Sequence, residues 1–163
     1  MRRAFSAAVG ALSLAAVVAG SSVTAASASA MSSSKTEHFQ FAGVSASSNR
    51  YSAIAYGAFT AGGTINLKSG LVRVPGGTFR AIHHRTSGKS EFNRRTCLGV
   101  SVEHGTYKIG AGTGKYRHIN GRGTYTSRVW FVLARNHRGR CSQSKQPAAF
   151  QQIVNARGPV RGY

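Results

Sequence analysis

From residue 37 onward, apolar positions recur at every second residue in short runs and never settle into a 3.6-residue period. This pattern predicts strands and no helix. The β-prone runs are Glu37–Ala46, Arg50–Thr60, Thr64–Val74, Thr78–Thr86, Leu98–His104, Thr106–Ile109, Thr124–Arg135 and Ala148–Ala156. Turn residues separate them at Ser47-Ser48-Asn49, Gly62-Gly63, Pro75-Gly76-Gly77, Ser87-Gly88-Lys89 and Asn136–Gly139. About eight short strands in one small domain predict an all-β barrel or sandwich.

Alternation within a run assigns its faces. In Thr124–Arg135 the apolar set is Tyr125, Val129, Phe131 and Leu133, which turns Arg122 and Arg128 outward. Phe79 and Ala81 share a face with His83, so His83 is expected to enter the interior, opposite Arg80, Ile82 and His84. Phe150 and Val154 bracket Gln152 in the same way. In Leu98–His104 the inner set reads Leu98, Val100 and Val102, which sends Glu103 outward. A one-residue slip of register would exchange the two faces, so the opposite assignment stays open. A buried His83 or Gln152 is read first as a core polar group with a partner, and second as part of a ligand pocket.

Tyr107–Gly121 is the most informative segment: strand, glycine-rich turn, short connector, then strand again from Arg122. Gly110, Gly112, Gly114 and Gly121 surround Thr113, and the spacing fits neither phosphate-binding motif. A P-loop needs glycine five positions before Gly114 and Ser or Thr after Lys115, where Ile109 and Tyr116 stand. A dinucleotide fingerprint needs G-x-G-x-x-G opening a helix, and this run is G-x-G-x-G. The loop is therefore expected to close the end of the barrel, with Lys115 and Arg117 in solvent and Tyr116 or Ile119 as the cover.

Arg2 and Arg3 precede an uncharged run from Ala4 to Val18, and small residues follow to Ala28-Ser29-Ala30. This is the pattern of a secretory signal peptide, residues 1–30, followed by a flexible leader, 31–36, and one barrel domain, 37–163. The apolar part is short for a membrane span, and no cysteine follows the cleavage point to carry a lipid. The expected location is extracellular, with the general or the twin-arginine export route left open. A domain of this size buries roughly two-thirds of its unfolded surface, enough for a core without metals. Cys97 and Cys141 are the only cysteines, and in an exported chain they are expected to form one disulfide. The histidines lack ligand spacing with them, so no metal and no cofactor is expected.

Charge adds a second theme. The chain carries 22 Lys and Arg against 3 acids, Glu37, Glu91 and Glu103, and no aspartate. Without Arg2 and Arg3 the mature domain has 20 cations against 3 acids. Extracellular polyanions are the electrostatic partners such a balance attracts. Arg80, Arg85, Arg94, Arg95, Arg117 and Arg122, with Lys89, are the candidates for such a surface, provided the fold gathers them on one face.

The loop Ile109-Gly-Ala-Gly-Thr-Gly-Lys-Tyr116, with a further glycine at Gly121, resembles the Gly-Gly-Thr-Gly-Lys-Phe segment of dirigent proteins and its counterpart in allene oxide cyclases. Gly77-Thr78-Phe79, Gly105-Thr106-Tyr107, Ala149-Phe150-Gln151-Gln152 and Gly158-Pro159-Val160 extend the resemblance to small secreted actinobacterial members of that superfamily. The resemblance implies an eight-stranded antiparallel barrel. It does not carry over the pocket acids, because the dirigent proteins often use aspartates and this chain has none.

Two functions from different classes follow. The first is a secreted barrel binding a small apolar ligand, or acting on one as a cofactor-free isomerase, cyclase or dirigent-like guide, with His83, Tyr125, Phe131 and Gln152 as pocket candidates. The second is a basic module for anionic wall polymers or nucleic acid. A metal-free nuclease is a weaker third, since Glu103 and His104 are neighbours on a strand and face opposite ways.

Overall fold

The computed structural model describes residues 34–163; the segment expected to be a signal peptide, 1–30, and residues 31–33 of the expected leader lie outside the described residues. Eight strands, β1 (Lys35–Gly43), β2 (Arg50–Tyr56), β3 (Ala61–Asn66), β4 (Leu71–Val74), β5 (Gly77–Asn93), β6 (Leu98–Gly110), β7 (Asn120–Val132) and β8 (Ala149–Arg161), follow in chain order. Each pairs antiparallel with the next and β8 returns to β1, so the sheet closes into a barrel, although β4 pairs only with Gly77–Arg80 of β5 and the rest of β5 has no strand partner on that side among the described residues. The only helical element among the described residues is a single 3-10 turn, Gly114–Tyr116.

The strand number agrees with the sequence reading, but two boundaries compensate. Thr64–Val74 is two strands, because Gly70 turns the chain at φ +67 and its carbonyl accepts from the Ala81 amide at 2.8 Å. Leu98–His104 and Thr106–Ile109 are one strand, β6. Gly105 between them is no breaker: an ideal Cβ there would lie 2.5 Å from the Tyr125 ring, so the glycine makes room for a side chain. Ser87-Gly88-Lys89 likewise lies inside β5, at a bulge between Arg85 and Ser87.

Continuity of β6 corrects one face. Tyr107 and Ile109 are buried, and their parity propagates back through Gly105 to Glu103, Ser101 and Gly99. Glu103 therefore points into the barrel, and Leu98, Val100 and Val102 point away from it, the inverse of the sequence expectation. Reading one strand as two had let the parity slip by one residue. Along the cavity the other assignments hold: Tyr125 and Val129 on β7, Phe79, Ala81 and His83 on β5, and Gln152 and Val154 on β8 face inward, with Ser127 joining the β7 set, whereas Phe131 lies beyond the cavity and Leu133 follows the end of β7.

The two ends of the barrel differ. At the end carrying the glycine loop, Phe39, Phe59, Phe79, Tyr107 and Tyr116 pack at ring-centroid distances of 5.3–6.4 Å, several edge to face. The loop is latched over them. Thr113 donates to the Thr78 carbonyl at 2.8 Å and Lys115 to the Gly76 carbonyl at 2.9 Å, while Tyr116 and Ile119 are buried beneath. Lys115 and Arg117 are exposed. At the other end β5 runs on past β4 while staying paired with β6, and Cys97 at the β5–β6 turn is bonded to Cys141 with a Cα separation of 5.4 Å. This disulfide pins the long β7–β8 connection to the β5–β6 hairpin.

Candidate functional site

Between the aromatic end and the loops at the other end lies a cavity of about 500 Å³. That volume falls within the range of small-molecule sites. Phe39, Phe41, Phe79, Tyr107 and Ile109 line it toward the aromatic end, and Asn49, Leu67 and Lys68 stand at the opposite loops. Ala81, Val129, Val154 and Ala156 add apolar wall.

Polar groups enter this wall in two clusters. The first is centred on Glu103. The Tyr125 hydroxyl donates to its Oε1 at 2.5 Å, and Arg85 Nε lies 3.7 Å from its Oε2. Burial, then the hydrogen bond to Glu103 and its charge, push the Tyr125 phenol far above its ordinary pKa, with Arg85 opposing; the phenol stays a donor. His83 packs edge-on against the Tyr125 ring at 5.8 Å and is itself exposed, so it stands at the rim.

The second cluster runs across β2, β8 and β7. The Tyr51 hydroxyl donates to Gln152 Oε1 at 2.8 Å, and Gln152 Nε2 donates to Ser127 Oγ at 3.0 Å. Both clusters meet on the β6–β7 pair, where Glu103 and Ser127 are directly opposite in register. A carboxylate acceptor and a hydroxyl with its own proton to donate thus stand side by side on one apolar wall. Cross-strand partners of this kind have Cβ atoms about 5 Å apart.

Deeper, Glu37 on β1 is fully buried in the aromatic end. Phe59 N–H donates to its Oε2 at 2.9 Å, whereas its Oε1 and the Tyr107 hydroxyl have no hydrogen-bond partner. Burial raises the Glu37 pKa, opposed by the amides of Phe59, Ala58 and His38. Burial, and then the Glu37 charge, lifts Tyr107 to about 12.

Of the sequence-derived pocket candidates, Tyr125 and Gln152 line the cavity, His83 guards its rim, and Phe131 does not line it, stacking instead on Phe92 at 6.3 Å. Glu103, Ser127, Tyr51 and Glu37 were not among them. The inward parity of Tyr107 and Ile109, extended through Gly105, is the signal that would have found Glu103. The six candidate arginines do not gather on one face. Arg80 and Arg122 lie on the outer wall, Arg85 bends to Glu103, and Arg94 and Arg95 occupy the β5–β6 turn by the disulfide. Arg117 follows the 3-10 turn at the opposite end.

Among the described residues no cluster of His, Cys, Asp and Glu is placed to hold a metal ion, and no helix is long and apolar enough to cross a membrane. Compared with family models, curated proteins and solved structures, the chain finds no match.

Proposed function

We propose that this is an exported barrel protein that binds one small, largely apolar molecule bearing a hydroxyl group inside the barrel. The observation that carries the reading is the Glu103–Ser127 pair in the wall of a hollow of about 500 Å³. A ligand hydroxyl would donate to Glu103 and accept from Ser127, and the apolar walls would hold the rest. Tyr125 and Arg85 fix the carboxylate, and the Tyr51–Gln152 chain fixes the serine, so little order is left to be imposed on binding. Export is supported by the signal-like N-terminal sequence and the disulfide.

The resemblance to dirigent proteins and allene oxide cyclases supports extending the reading to guidance of a reactive apolar substrate through isomerisation or cyclisation. In that case the site would act as a mould, with Glu103 stabilising developing positive charge.

The test is titration of the neutral dye N-phenyl-1-naphthylamine, displaced by long-chain alcohols and by the matching alkanes. Saturable one-to-one binding is expected, with alcohols displacing the dye at least tenfold better than alkanes. Ala81→Trp, which fills the hollow, should abolish binding, and Ser127→Ala should erase the alcohol preference. Absence of saturable binding, or full binding by a folded Ala81→Trp variant, would refute the proposal.

A further inference from the structure

The outside of the barrel carries its own ordered array. In register across four strands, Tyr56 on β2 faces His38 on β1, His38 faces Arg157 on β8, and Arg157 faces Thr124 on β7. At the ordinary interstrand spacing this row spans roughly 14 Å. The Tyr56 and His38 rings are stacked at 4.9 Å and 8°, and Tyr56 is 52% exposed, so one face of the phenol is held rigid and open to solvent.

The neighbouring rows complete the surface. On one side Gln40 Nε2 donates to Asn155 Oδ1 at 3.1 Å and His104 shares a hydrogen bond with Thr126 at 3.1 Å. On the other, Arg122 pairs with Lys108. A dent of about 220 Å³ opens over the row, between Tyr56, Thr124, Asn155 and Arg157. It is smaller than an ordinary small-molecule pocket and suits one ring of a longer chain.

This wall has no acid to balance its cations. Of the three acids, Glu37 and Glu103 point into the barrel, and Glu91 lies far along β5 against Lys89 at 3.6 Å. Arg157, Arg122 and Lys108 therefore face solvent beside neutral amides and hydroxyls, with one flat ring at the end of the row.

We propose that this wall binds an acidic polysaccharide, a chain of pyranose rings bearing carboxylates. One sugar face would stack on Tyr56, whose ring supplies apolar area and a polar tip at little entropic cost. Arg157 is a planar fork suited to a carboxylate. Asn155, Gln40 and Thr124 offer the paired donors and acceptors that ring hydroxyls need. Single-stranded nucleic acid fits less well, because it needs successive aromatic platforms for successive bases, and this row offers one. The site is separate from the cavity, and neither proposal rests on the other.

The experiment measures binding of an oligogalacturonate at two salt concentrations, with neutral dextran and a thymidine oligonucleotide as comparison ligands. The wild-type protein should bind oligogalacturonate, ignore dextran, and bind the oligonucleotide more weakly. Tyr56→Ala and Arg157→Gln, both at exposed positions, should each weaken oligogalacturonate at least tenfold, and Arg157→Gln should also flatten the salt dependence. Arg138→Gln, on the distant β7–β8 connection, should change affinity less than twofold. Ala81→Trp should leave this binding intact, which separates it from the cavity. Equal losses from Arg138→Gln and Arg157→Gln with none from Tyr56→Ala would mean diffuse basic adsorption and would overturn the proposal. Tighter binding of the oligonucleotide, or no binding of oligogalacturonate at low salt, would overturn it as well.

Discussion

Gly114→Val tests the glycine loop as a latch. Gly114 sits at φ +58, where a residue with a Cβ costs roughly 1–2 kcal/mol. A Cβ placed there would also stand 2.2 Å from the Gly76 carbonyl oxygen, the acceptor for the Lys115 amide at 2.9 Å. The β4–β5 turn would have to retreat, weakening that hydrogen bond at about 1 kcal/mol. The two terms give about 2–3 kcal/mol, or on the order of 6–15 °C in melting temperature for a domain of this size. Lys115→Ala, by contrast, removes an exposed side chain and should change stability by less than about 0.5 kcal/mol. Thermal melts followed by near-ultraviolet circular dichroism, which reports Tyr116 and its aromatic neighbours, read both. If Gly114→Val melted within 2 °C of wild type, the latch would be a misreading. If Lys115→Ala instead abolished binding of a phosphorylated ligand while the fold survived, the loop would be a ligand cradle.

Two further perturbations address the buried polar groups. Because the folded-state pKa of Glu37 is raised, wild-type stability falls as pH climbs from the ordinary carboxylate value through the folded one. Glu37→Gln should therefore be the more stable protein at pH 7, by about 1.4 kcal/mol for every tenfold by which folding weakens the acid, with the gain vanishing below about pH 4 in urea titrations; a less stable variant at pH 7 would contradict this. Tyr107→Phe removes a hydroxyl with no partner and should be neutral or stabilising, whereas Tyr125→Phe removes a bond to a carboxylate and should cost about 1.5–3 kcal/mol. The reverse order in denaturant midpoints would show that the assignment of partners is wrong.

How much of this was legible in the sequence depends on what each glycine does. Where a glycine turns the chain, as at Gly76, Gly77 and Gly114, turn chemistry located it correctly. Where it lies in a strand because another side chain occupies its space, it reads as a break that does not exist. Gly105 and Gly88 both misled in this way, the first splitting β6 and the second shortening β5. Gly88 sits under the Arg85 guanidinium, 2.6 Å from where its Cβ would be, and local pattern carries no trace of that. The face of Glu103 was lost for the same reason. Tyr107 and Ile109 carry the parity of β6, but only pairing with β5 and β7 shows that it runs unbroken through Gly105 to Glu103, and pairing is a property of the whole sheet. The inward faces of β7 and β8 were legible because apolar residues stand at alternate positions on either side of Ser127 and Gln152, and that of β5 because Phe79 and Ala81 lead up to His83 at the same spacing.

Glycines within strands also explain why the barrel is hollow. Eight strands enclose an interior that side chains directed at the axis would fill. Here several large rings lie along the wall instead, each over a glycine on the adjacent strand. Tyr51 crosses Gly43 to reach Gln152, and Phe131 crosses Gly99 to stack on Phe92. Tyr107 lies over Gly123, and Tyr125 lies over Gly105 before turning to Glu103. In each case a Cβ on the glycine would come within 2.1–2.8 Å of the ring. Flattening the rings clears the axis, and it carries the Tyr51 and Tyr125 hydroxyls sideways to the polar residues of the wall. Cavity volume and polar preorganisation thus have one cause, the pairing of a ring with a cross-strand glycine. A side chain introduced at Gly105 would disturb both at once, pushing Tyr125 toward the axis and away from Glu103.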